Sequence, residues 1–290
     1  DDEARAAGRP CLMITDYANP ALRKGCEEAG LSYLDVTGWT YLREDDAGLF
    51  IRRQGTSRPP TPPVKRGTAM VHLDGPGASQ VIRTLWAARL PVGVRDLAAA
   101  AGVSPGTVAK VLPALASYGA IARTSEGAVA EVNRRLLIER WTQDYAIYDT
   151  NPEVLWLLAP RGPDHAFASL AQLHAPAGAL DDGIALTGYV GALSNLPREP
   201  EETYPVIPHT LLAIYSEDPS RLAEALRLRK ATPTTANVVI IRPKDSRLLQ
   251  PYPSAVPLPQ VLADLLTMGG RFIELAEQLF ETIDSQPSIT

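Results

Sequence analysis

The sequence predicts an α+β multidomain chain: a small α/β N-terminal unit, a central winged helix-turn-helix and a C-terminal α/β domain. Three observations predict it. Residues 94–111, VRDLAAAAGVSPGTVAKV, carry the residue spacing of two helices joined by a tight turn. Four prolines in the five positions from Pro59 to Pro63 make a stiff, extended connector between an N-terminal unit and the rest of the chain. From about Asp149 onward, strand-like and helix-like segments alternate. We place the units at 1–57 (small α/β), 58–76 (proline-rich basic linker), 77–133 (winged helix-turn-helix) and 134–290 (C-terminal α/β, regulatory or interaction domain).

The central motif reads element by element. Ala78–Leu90 is an amphipathic helix with Val81, Ile82, Leu85 and Trp86 on its inner face. Val94, Leu97 and Ala98 line a second helix. Gly102 comes where the chain must turn sharply and a missing Cβ costs least. Ser104 offers an oxygen to cap a third helix, and Pro105 sits at its first position, where the absent N–H is harmless. Val108, Val111, Leu112 and Leu115 turn that helix inward, and Tyr118-Gly119 ends it. Ala120–Thr124 and Ala128–Val132, joined at Glu126-Gly127, read as a β-hairpin, the wing. Asn133–Tyr145 reads as a helix leaving the wing.

In such a motif the front of the last helix faces base edges in a major groove of double-stranded DNA. Here the front is Ser104, Pro105, Gly106 and Thr107, with Lys110 one turn further on. Lys65, Arg66, Arg83, Arg95 and Arg123 lie around it and are the candidate phosphate contacts. Charge sorts the same way. The chain is acidic, with 28 basic and 33 acidic residues. Residues 52–145 nevertheless hold 13 Lys/Arg against 6 Asp/Glu, a net of +7. One basic segment in an acidic chain is the footprint of a localised DNA surface.

Ahead of the linker, Cys11–Ile14 reads as a strand, Pro20–Gly30 as a helix, and Leu31–Thr37, Thr40–Arg43 and Leu49–Arg52 as strands, with a turn at Asp45-Asp46-Ala47-Gly48. After the wing, Val154–Leu158 reads as a strand or short helix. His165–Leu173, Asp182–Ser194 and Pro219–Arg229 read as helices, and Thr210–Tyr215 and Asn237–Arg242 as strands. Leu258–Ile283 reads as one or two helices interrupted near Gly269-Gly270. Arg161-Gly162-Pro163-Asp164 and Thr187-Gly188-Tyr189 are not explained by packing alone, and a small-molecule pocket or a protein interface is the alternative they leave open.

Three stretches carry a family resemblance: GLSYLDVTGWTYLREDDAGLFIR, similar to a YlD-x-x-GN hairpin; DGPGASQVIRTLWAARLPVGVRDLAAAAGVSPGTVAKVLPALASYGAIAR, the most specific; and IALTGYVGAL with NVVIIRP. Together they resemble the AbiEi-type antitoxin regulators of type IV toxin–antitoxin systems, and their actinobacterial helix-turn-helix relatives in particular. The resemblance implies a DNA-binding transcription regulator, usually a repressor of its own neighbourhood. Its alternative reading is an antitoxin whose C-terminal domain engages a toxin or other protein partner, with autoregulatory DNA binding. A homodimer is a further expected partner.

The first stretch also resembles the sheet of restriction-endonuclease-like proteins. A working site there needs an Asp and, roughly ten to twenty residues later, an acid–x–Lys, to hold Mg²⁺ and stabilise the attacked phosphate. Asp35 could be the first. The residues two before the lysines are Leu22, Pro63, Val108, Leu228 and Arg242, so acid–x–Lys is absent. We therefore expect a degenerate nuclease-like unit and no enzyme activity, no catalytic residues, no cofactor and no metal. The four histidines, His72, His165, His174 and His209, match no metal-site spacing. With Cys11 and Cys26 read as free thiols, and no signal peptide or membrane-length apolar run, the expectation is a cytoplasmic bacterial protein with no membrane partner.

Overall fold

A computed structural model of the chain describes residues 11–15, 18, 20–44, 48–55, 71–173, 183–195, 210–249 and 255–285. They fall in two compact units, Asp1–Met70 and Val71–Thr290. Both are mixtures of helix and sheet. Most of the proline-rich linker, with Lys65 and Arg66, lies outside the described residues, as do three of the four residues of the turn expected at 45–48.

In the first unit, strand β1 (Leu12–Thr15) leads through helix α1 (Pro20–Glu28) to β2 (Ser32–Asp35), β3 (Thr40–Glu44) and β4 (Leu49–Arg53). The sheet runs β1-β2-β3-β4. β1 and β2 are parallel because a helix crosses between them, and the remaining pairs are hairpins and so antiparallel. Alternation puts Tyr33 and Tyr41 on the α1 side, directly opposite each other, with their rings stacked at 5.8 Å. With Ala18 and Cys26 they make a small core.

The second unit begins with α2 (Pro76–Trp86), α3 (Val94–Ala100) and α4 (Pro105–Ser117), then the hairpin β5 (Ile121–Arg123) and β6 (Val129–Val132), then α5 (Arg134–Thr142). α2 stops four residues short of the expected Leu90; its last turn is closed by the N–H of Ala87 on Thr84 and Leu85 carbonyls. The rest of the motif obeys its sequence signals. Asn133 caps α5 by accepting from the Leu136 N–H at 3.0 Å.

Beyond it lies a sheet in the order β10-β7-β11-β9-β8, from β7 (Glu153–Leu158), β8 (Ile184–Thr187), β9 (Leu212–Ser216), β10 (Arg229–Lys230) and β11 (Val238–Arg242). Helices cover both faces, so its central strands are apolar throughout rather than alternating. Ala213, Tyr215, Val239 and Ile241 point one way, into a core shared with α2, α4, α5 and the helices α9 (Leu258–Met268) and α10 (Arg271–Ser285). Leu212, Ile214, Val238 and Ile240 point the other way, towards α6 (Pro163–Leu173) and α8 (Pro219–Ala225).

The helix expected over 182–194 is only partly formed. Residues 184–187 are instead strand β8, paired with β9, and only Gly188–Asn195 is helical, forming α7. A short apolar run buried on both faces has no period to distinguish strand from helix. The expected helix 219–229 likewise stops at Ala225, and Arg229–Lys230 pairs with β7. Segments 77–133 and 134–290, expected as separate domains, lie in one compact unit with one continuous core from Leu73 to Phe280.

A polar chain crosses that core. Arg83 of α2, only 7% exposed, donates to Gln260 Oε1 at 2.7 Å and to the carboxylate of Asp245. Gln260 donates onward to Tyr145 Oη at 3.0 Å and Asp264 Oδ1 at 2.8 Å. Asp264, fully buried, also accepts from Tyr145 at 2.6 Å, Tyr215 at 2.9 Å and Thr187 at 2.5 Å. Thr187, among the residues that packing alone leaves unexplained in the sequence, is thus a fully buried donor to this carboxylate. Burial outweighs the donors and pushes the Asp264 carboxyl up to about 6. Burial, with the Asp264 charge beside them, also holds the Tyr145 and Tyr215 phenols well above their ordinary value.

An acid whose pKa is higher folded than unfolded binds more protons in the folded state. The stability Asp264 contributes is fully present below its unfolded pKa near 4. It declines as pH rises and is lost above about 6, a change on the order of 3 kcal/mol. In urea titrations across this window, the wild-type chain should lose stability relative to Asp264→Asn as pH rises. Parallel curves for the two proteins would show that Asp264 titrates normally.

Candidate nucleic-acid interface

The interface is built from the inside out. Val108, Val111, Leu112 and Leu115 of α4 are all at most 2% exposed and pack against α2 and α3. Each such side chain contributes about 1.5–3 kcal/mol by leaving water. Their burial fixes which side of α4 faces out. Gly102 makes the turn between α3 and α4 at φ 60°, a left-handed conformation that favours glycine. The chain bends by 110° between the two helices, within the range of a helix-turn-helix. No single helix among the described residues is long and apolar enough to cross a membrane.

Ser104 caps α4, its Oγ accepting the Thr107 N–H at 3.1 Å, and Pro105 occupies the first turn. Ser104, Pro105, Gly106 and Lys110 are exposed along one side. Thr107 is half-buried. Its hydroxyl lies 3.0 Å from Ser104 Oγ, and its methyl packs against Gly77, where an added Cβ would come within 3.0 Å. The methyl is therefore turned to α2 and away from the exposed front. The wing is present, and Val92 adds a rung that no sequence signal announces. The N–H groups of Val92 and Val129 donate to each other's carbonyls at 3.0 and 2.9 Å. A single bridging residue has no alternation to reveal it.

The expected phosphate contacts separate. Arg95 is exposed on α3. Arg123 is exposed in the wing, where it also pins the hairpin turn, donating from Nε and a terminal nitrogen to the Gly127 carbonyl at 3.0 and 2.7 Å. Arg83 must be corrected. It is enclosed between α2 and the C-terminal layer, paired with Asp245, and cannot reach a phosphate. Arg89, inside the helix expected over Ala78–Leu90, instead lies exposed in the loop between α2 and α3, because α2 ends at Trp86.

In the first unit Asp35 shapes a turn. Its carboxylate accepts the N–H groups of Ala18 at 2.8 Å, Thr37 at 2.9 Å and Trp39 at 2.9 Å, and the Thr37 hydroxyl at 2.8 Å. Burial alone would raise its pKa, but those donors win and hold the carboxyl below its ordinary value. Among the described residues no group of three or more His, Cys, Asp or Glu could hold a metal ion. Of the histidines, His72 sits 3.5 Å from Asp144 and His165 3.4 Å from Arg161.

In comparisons with known proteins, no family model, curated protein or solved structure matches this chain.

The two kinds of arginine should part in stability measurements. Arg83→Ala takes away the buried partner of Asp245, leaving it only the part-exposed Arg247, and is expected to cost about 1–3 kcal/mol in urea unfolding. Arg95→Ala, on an exposed helix surface, should stay within about 0.5 kcal/mol of wild type. Equal effects would refute the assignment of Arg83 to the core.

Proposed function

We propose that this chain is a sequence-specific DNA-binding transcription regulator that acts as a repressor and reads the major groove with α4. One observation carries the reading. The side of α4 left outside by four buried aliphatic residues is narrow at its start, carries Ser104 and Lys110 among the small residues Pro105, Gly106 and Ala109, and is flanked by a β-hairpin wing. Lys110 is the base-reading side chain, donating to guanine O6 and N7. The small side chains at Ser104, Pro105 and Gly106 let the helix end approach closely. Arg95 and Arg123 hold phosphates. The resemblance to AbiEi-type regulators supports the same reading.

Lys110→Ala is expected to weaken binding to the operator found by footprinting the chain's own promoter by about 1–3 kcal/mol, with a much smaller loss on scrambled duplex. Arg95→Ala and Arg123→Ala should weaken both duplexes alike and lower the salt slope by about one unit each. The measurement is titration of folded variants at several salt concentrations. Unchanged affinity in all three variants would remove α4 and the wing from the DNA surface.

On this reading the first unit does no chemistry on DNA, since the oxygens of Asp35 are engaged by the loop it shapes. Plasmid incubated with the protein and Mg²⁺ or Mn²⁺ should remain uncut. Cleavage that disappears in Asp35→Ala would overturn this part of the reading.

A further inference from the structure

Strand β4 ends the first unit's sheet, and all five of its residues, Leu49 to Arg53, are exposed. Among the described residues no strand pairs with its outer edge, whose backbone groups can be assigned atom by atom. Ser32 Oγ accepts the Arg43 N–H at 3.0 Å and donates to the Arg43 carbonyl at 3.3 Å, so the backbone groups of Arg43 point to β2. In a strand these directions alternate, so Leu42 points to β4. Leu42 is opposite Ile51. The N–H and C=O of Leu49, Ile51 and Arg53 therefore serve the β3 ladder, and those of Phe50 and Arg52 face outward.

We propose that β4 pairs antiparallel with β4 of a second copy of this chain, about a two-fold axis through Ile51. In this register Phe50 faces Arg52 of the partner subunit, and each such pair exchanges both of its outward hydrogen bonds. Every outward group of both residues is then satisfied. The side chains are self-complementary too. Phe50 lies on the α1 side, edge-on to Tyr41 at 5.8 Å, and would meet the alkyl stem of the partner's Arg52, whose guanidinium is held by Glu27 of its own chain at 3.0 Å. On the other face Leu49 meets the partner's Arg53, and Ile51 meets the partner's Ile51.

The neighbouring registers fit less well. Sliding one way sets Phe50 opposite the partner's Gln54, which lies outside β4, and sets Arg52 opposite the partner's Arg52, each already held by its own Glu27. Sliding the other way sets Arg52 opposite the partner's Gly48, whose φ of 62° has already left the strand, and that hydrogen-bonded pair is lost. The two-fold arrangement uses the β4 edge of both copies and is isologous, so this contact closes on a dimer. A single strand pair is a small interface, so monomer and dimer should exchange with concentration.

Sedimentation of the full chain across roughly 1 to 100 µM should show its mass rise from 31.2 kDa towards twice that value. Ile51→Arg, which sets like charges face to face at an exposed position, should remain monomeric with an unchanged circular dichroism spectrum. In a Cys11→Ser background, Ile51→Cys should form a disulfide-linked dimer on mild oxidation. Across a non-hydrogen-bonded pair the Cα atoms are about 4.5 Å apart, within disulfide reach. Three results would each overturn the proposal: a constant monomer mass, a dimer that survives Ile51→Arg, or cross-linking by Phe50→Cys without cross-linking by Ile51→Cys. None of them depends on whether the chain binds DNA.

Discussion

The second unit is organised around a guanidinium held out of water. Arg83 leaves α2 on the side away from α3 and α4 and ends between Asp245, Gln260 and Gln80. Removing a cation and a carboxylate from water costs several kcal/mol each, so the pair is not there because it is the cheapest way to fill the space. What it supplies is direction. An apolar contact tolerates sliding, whereas a guanidinium satisfied by three fixed acceptors does not. Arg247 reinforces it from outside, donating to Asp245 at 2.8 Å and to the Pro76 carbonyl at the start of α2 at 3.0 Å. The first helix of the winged motif is thereby keyed to the C-terminal layer. Through its packing with α2, the orientation of α4 is set by residues far along the chain.

This explains why the motif is legible in the sequence and its attachment is not. The signals for α3, the turn, α4 and the wing are local. A Ser–Pro start, a glycine at the turn and aliphatic residues three and four apart each act within a few positions. Arg83 has the same signature as a surface arginine, a cation beside a helix-turn-helix pattern. Its partners lie 162 and 177 residues away in sequence. Asp264 is hidden for a similar reason: within an apolar helix one carboxylate reads as a solvated position, and only the fold brings Tyr145, Tyr215 and Thr187 around it. Strand β8 escapes notice because burial on both faces removes periodicity, the same condition that makes β11 easy to find once its run is longer. The first unit is legible almost throughout, since its hairpins show one face each.

The two buried carboxylates illustrate how position decides role. Asp35 and Asp264 each accept four hydrogen bonds. Asp35 receives three of its four from backbone N–H groups of the loop that wraps it, which holds the anion. Asp264 receives all of its bonds from side chains in a fully dry interior, and there burial prevails over the same number of donors. The first arrangement freezes a local loop. The second ties together α9, β8, β9 and the segment after α5, and so belongs to the same framework that positions α2.

The charge pattern has to be discounted by the same geometry. The basic excess of residues 52–145 includes Arg83 and Arg140, which lie inside the protein on Asp245 and Asp144. It also includes Arg135, bound to Glu139 and Glu277. Among the described residues of the winged motif and the start of α5, the exposed cations outside such pairs are Arg89, Arg95, Lys110, Arg123 and Arg134, with Asp96, Glu126 and Glu131 also exposed beside them. On the proposed DNA-binding reading, if each of these cations neutralised one phosphate, the salt slope of one copy would be about 4.5, and affinity would fall about five hundredfold between 50 and 200 mM salt. That is a weak electrostatic hold for a protein that must find one site among many. Pairing two copies doubles the phosphate contacts and makes the second binding event intramolecular. On the proposed DNA-binding reading, a second copy joined through the proposed β4 pair supplies the contacts that one winged helix lacks.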